Sequence, residues 1–105
     1  MGLPNVAELD AMIAEATIDC YNESEQATGL LTMLDAHLAC PFETTILGVR
    51  VHVESVDIDE NDNIVALCVR GAQRQAISLA DLPLPDPPPD GAEWIWAYRR
   101  WLHPG

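Results

Sequence analysis

The feature that most constrains this chain is a change of hydrophobic period at Pro41. Before it, Val6, Leu9, Ile13, Ala16 and Cys20 recur every three or four residues, as do Ala27, Leu30, Leu31, Leu34 and Leu38. That spacing places each set on one buried helix face. After it, Leu47, Val49, Val51 and Val53 alternate with Gly48, Arg50, His52 and Glu54, the two-residue period of a strand with one face outward. Pro41 itself disfavours helical geometry at Cys40 and so marks the boundary. Helix followed by strand predicts an α+β fold.

Local signals refine this expectation. Asn5 with Glu8 forms an N-x-x-E helix start. Between the two helical runs lies Asp19 to Glu25, where Asn22 and Ser24 either cap a second helix or are passed by one long, bent helix. The period allows both. The strand section, roughly Thr44 to Leu82, holds the alternating run, a polar loop from Asp59 to Asn63, and a continuous apolar run from Ile64 to Val69. That run predicts a strand covered on both faces. Gly71 then marks a turn, and Gln75 to Leu79 a further strand. A lone hairpin is not stable, so a small, curled, antiparallel SH3-like sheet is expected. Pro83, Pro85, Pro87, Pro88 and Pro89 impose an extended path, a rigid spacer. Asp90 with Glu93 then predicts the cap of a C-terminal helix, with Trp94, Tyr98 and Trp101 on one face. One domain over residues 1–105 is expected.

Charge narrows the function. Seventeen acidic residues face five basic ones, all arginine, for a net charge of −12. Such a field repels nucleic acid and anionic lipid, so neither is an expected partner. No apolar stretch reaches the length of a membrane span, and the N-terminus lacks the basic and apolar regions of a signal peptide. A cytoplasmic location is the expectation. Cys20, Cys40 and Cys68 are widely spaced, and His37, His52 and His103 have no zinc-ligand spacing. No nucleophile–base arrangement or glycine-rich phosphate loop is present, so no enzymatic role is expected.

Two groups of acids are candidate metal ligands. Asp57, Asp59 and Asn61 occupy positions 1, 3 and 5 of an EF-hand-like loop, with Asp62 beside them. Asp62 stands where that loop needs glycine, and Cys68 where it needs a bidentate glutamate, so this is not an EF-hand. Asn and Asp are also favoured turn residues, and a plain hairpin loop explains the segment equally. The second group is Asp19, Glu23 and Glu25, with Asp35 further along the same section. On a continuous helix Asp19 and Glu23 would stand one turn apart, a repulsive pair that solvent or a cation must relieve.

The segments Ile18 to Gly29, Leu34 to Leu38 and Pro41-Phe42-Glu43 follow the pattern D-x-Y-x-E-x-E-x-A-x-G, then an acidic L-x-x-x-L, then P-F. In this the chain resembles the cyanobacterial calcium-binding protein family (CcbP-like), over about Ile13 to Trp101. The resemblance implies a compact fold without EF-hands that binds Ca2+ through surface carboxylates, with Asp19, Glu23, Glu25 and Asp35 as the matching acids. Two features depart from the family: Leu30, Leu31 and Met33 stand where it tends to have aromatics, and Ala36 where it tends to have a second acid. A calcium buffer or sensor is the expected function. The alternatives are a protein-interaction module using the Trp94–Trp101 helix or a sheet edge, and an acidic mimic of nucleic acid.

Overall fold

Two asparagines begin the first two helices. In the computed structural model, which describes residues 4–104, Asn5 caps α1 (Val6–Ala16) by accepting the Glu8 N–H at 2.8 Å, and Asn22 caps α2 (Glu23–His37) by accepting the Glu25 N–H at 2.8 Å. Each carbonyl oxygen satisfies one of the donors that a helix N-terminus leaves unpaired. The N-terminal section is therefore two helices. They approach closely at Gly29, where an added Cβ would run into the Ala16 carbonyl oxygen.

The sheet contains four strands in the order β1 (Phe42–Ile46), β2 (Val49–Ile58), β3 (Ile64–Arg70), β4 (Gln73–Ser78), every neighbour antiparallel. It is an open meander, so the expected SH3-like closure is not found. The alternating run from Leu47 to Val53 is not one strand. Leu47 (φ 50°) and Gly48 (φ 78°) form a two-residue turn between β1 and β2, with Leu47 99% exposed. Positive φ at both central residues gives the turn the twist that a hairpin needs.

α3 (Glu93–Leu102) packs on α1 and α2, and α2 packs on β2. The expected cap at Asp90 is displaced: the helix starts from Ala92, without a side-chain cap, and the Asp90 carbonyl instead accepts the Ala39 N–H at 2.8 Å. Between the helices and the sheet lie Leu30, Leu34, Val53, Ile64, Ala66, Leu79, Ile95 and Tyr98, all essentially inaccessible. β3 is buried on this face at Ile64, Ala66 and Cys68, while Val65, Leu67 and Val69 on the other face are half-buried. The expectation that it is covered on both faces fails, because the apolar run reflects its central place in the sheet. No helix among the described residues is long and apolar enough to cross a membrane.

Candidate metal-binding carboxylates

The α1–α2 junction is built by caps. The Thr17 hydroxyl donates to the Ile13 carbonyl at 2.7 Å as α1 ends, and Asp19 follows at φ 62°. Glu25 Oε2 accepts the Tyr21 N–H at 2.8 Å, reciprocating the Asn22 cap in the manner of a capping box. One Glu25 oxygen is therefore committed to holding the start of α2. Asp19 and Glu23 are exposed, and they do not stand one turn apart on a continuous helix, because the chain breaks between them. Asp35 is exposed in the last turn of α2. Burial raises the Cys40 thiol pKa, and the Asp35 charge adds to the rise.

The β2–β3 hairpin places the other three acids. Asp59 Oδ1 accepts the Asn61 and Asn63 N–H groups, each at 2.9 Å, and its own N–H donates to the Asn63 carbonyl at 2.9 Å. Asp62 takes the left-handed conformation (φ 63°) that an EF-hand-like loop assigns to glycine. Asp57 Oδ1 accepts the adjacent Ile58 N–H at 2.8 Å. Three carboxylates that the spacing presents as ligands thus include one that is the fastener of a tight turn.

Among the described residues, no three His, Cys, Asp or Glu side chains stand together as a group able to hold a metal ion. The seven candidates therefore do not form one preassembled cage. They line neither of two open grooves on the surface. One, of about 370 Å³, lies among Glu43, Thr44, Thr45, Arg50, Leu84 and Pro85; the other, of about 250 Å³, among Cys68, Arg70, Gln73, Arg74 and Gln75.

Four of the five arginines are engaged elsewhere. Arg50 and His52 each approach Glu43 at 3.6 Å, Arg74 lies 3.9 Å from Glu54, and Arg100 lies 3.0 Å from Asp10. Arg99 donates to the Leu79 and Leu82 carbonyls; burial lowers its pKa and the nearby Asp81 opposes that shift. None of the seven candidate carboxylates takes part in an ion pair among the described residues. No sequence pattern anticipates this, since the pairings cross between strands and helices.

The Trp94–Trp101 face goes mostly into the core. Trp94 and Tyr98 are buried, and Trp101 is half-buried with its indole N–H donating to Gln26 at 2.9 Å. Compared with known protein families, curated proteins and solved structures, the chain matches none.

Proposed function

We propose that this chain is a cytoplasmic calcium-binding protein, without catalytic activity, that takes the ion through exposed carboxylates. The observation that carries the reading is that Asp19, Glu23, Glu25, Asp35, Asp57, Asp59 and Asp62 are all unpaired with protein cations in a molecule of net charge −12. Carboxylate oxygens are hard donors, and calcium accepts six to eight of them in variable geometry. The donor chemistry therefore suits calcium, while an ion requires side chains to move toward it. The likeness of the Asp19–Gly29 and Leu34–Leu38 segments to the CcbP-like family favours the helical acids over those of the hairpin, where Asp59 already serves the turn.

Isothermal titration with calcium, repeated with magnesium, tests this. A saturable calcium isotherm at micromolar to millimolar affinity, with a weaker magnesium response, is the expected result. Magnesium demands a small octahedron and gives up its waters reluctantly. Equal heats and midpoints for the two ions would leave only counterion attraction.

A second reading, a protein-interaction module, is favoured by one observation: among the described residues, β4 is an edge strand with no strand on its outer side. The Trp94–Trp101 helix supports it less, because Trp94 and Tyr98 are used by the core.

A further inference from the structure

The sheet treats its two edges differently. Beside β1, the Thr44 hydroxyl donates to the Pro83 carbonyl, and Leu84 and Pro85 wall the adjoining groove. The proline segment thus runs beside that edge. β4 pairs with β3 over all of its residues, from Gln73 to Ser78, and among the described residues no strand lies beyond it. It contains no proline, and the one register shift in the sheet lies elsewhere, between Val53 and Ser55. Those are common devices for blunting an edge. Gln73, Arg74, Gln75 and Ala76 are exposed, and the unpaired backbone groups of such a strand are a template for another.

Charge changes sign at the same place. From Asn63 to Ala80 there is no aspartate or glutamate, while Arg70 and Arg74 both fall within that segment. In a chain of net charge −12 the β3–β4 hairpin is therefore a cationic island. Arg70 makes no ion pair among the described residues; Arg74 lies 3.9 Å from Glu54 of β2, a long contact that leaves its side chain 77% exposed. Both line the groove of about 250 Å³, together with Cys68, Gln73 and Gln75.

We propose that the β4 edge is a docking site for an extended, acidic segment of a protein partner. The segment adds as a fifth strand and sets a carboxylate beside Arg74, while Arg70, on β3 and the opposite face of the hairpin, adds to the positive field at that end. Main-chain hydrogen bonds supply attraction that is indifferent to sequence, and the two arginines select the charge. A second copy of this chain suits the edge less well. Such a pairing brings together two molecules of net charge −12. This inference is independent of the calcium reading, since none of the seven candidate carboxylates lies in β3 or β4.

The test is fluorescence anisotropy of a labelled, end-blocked hexapeptide of alternating valine and glutamate, against a counterpart with lysine for glutamate, at physiological salt. The glutamate peptide is expected to bind more tightly, and its backbone amide shifts on the protein to concentrate in Gln73–Ser78. Arg74→Glu should weaken the glutamate peptide on the order of tenfold, as a favourable cross-strand pair becomes a repulsive one. Arg74→Gln should weaken it less, and Arg50→Glu, on β2, should leave it unchanged. Absence of glutamate-peptide binding, equal binding of both peptides, or an equal loss with Arg50→Glu would overturn the proposal. So would sedimentation that finds β4 occupied by a second copy.

Discussion

Tyr98 joins the last helix to the sheet through a single atom. It is almost wholly buried, and its hydroxyl oxygen accepts the Ile64 N–H at 3.0 Å where β3 begins. Tyr98→Phe leaves that buried donor unpaired, which costs about 1–3 kcal/mol; urea unfolding at neutral pH measures it. Burial also raises the Tyr98 phenol above its ordinary 10.0, opposed by the Ile64 hydrogen bond and aided by the Asp59 charge. Burial raises the Cys68 thiol above its ordinary 9.0. Both groups keep their protons to higher pH when folded than when unfolded. Their contribution is complete below the unfolded values and is lost as pH rises through the folded ones. Stability should therefore decline from about pH 9 upward, and Tyr98→Phe should flatten the part of the decline beyond about pH 10. Urea midpoints across that range check the slope. At the candidate ligands, Glu23→Gln or Asp35→Asn should weaken calcium binding on the order of tenfold, because ligand charge tunes such sites. Asp86→Asn, in the proline segment, should change it little. Equal losses in all three variants, measured by calorimetry, would assign the ion to the overall field. Glu25→Gln is a poorer probe, since it also perturbs the cap on Tyr21.

At the scale of elements, the close approach of α1 and α2 depends on Gly29. The atom that an added Cβ meets is the backbone oxygen of Ala16, which no rotamer change can move aside. Gly29→Ala would gain up to about 1 kcal/mol in helix propensity, but forcing the helices apart costs about 1–3 kcal/mol. A net loss of stability in urea is expected, and a net gain would mean that the α1–α2 contact carries little. The cap at Asn5 was legible because a cap is a local bond between residues three apart. Asn22 carries the same kind of signal, but the helical period running through it left one long, bent helix equally open, and the structure decides for two helices. The start of α3 was not legible, because Asp90 is turned to a distant partner, Ala39. The β1–β2 turn was hidden for another reason. Leucine rarely takes positive φ, so Leu47-Gly48 lacks the usual Asn-Gly signal, and the alternation continues through it.

For the whole molecule, a net charge of −12 makes the folded state repel itself more than the expanded chain does. A calcium ion bound only to the native state relieves that repulsion and adds linkage stabilisation, about 2.7 kcal/mol at a free concentration one hundred times the dissociation constant. For a domain of this size, that raises the melting midpoint by about 10 °C or more. Sodium chloride at matched ionic strength screens only charges farther apart than a Debye length, about 8 Å at physiological salt. Thermal melts in the two salts, each referred to chelator-treated protein, separate the effects. Equal shifts would mean that the acidic surface is merely solvated, and the interaction reading would take its place.

What the sequence by itself determined are the properties carried by neighbours along the chain. These are the helix periods before Pro41, the helix start at Asn5, the strand character after it, the extended proline segment and the acidic balance. Each arises from side chains within a turn or two of one another, so order alone conveys it. Only the tertiary structure decided matters of distance in space. It made the sheet an open meander, put Trp94 and Tyr98 in the core, and left the candidate carboxylates outside every ion pair found among the described residues. It also set Asp59 to closing a turn and left β4 bare while the proline segment runs beside β1. Residues far apart in the chain meet only when the fold has closed, and an acid binds an ion, caps a turn or pairs with a cation according to what that closure brings within reach.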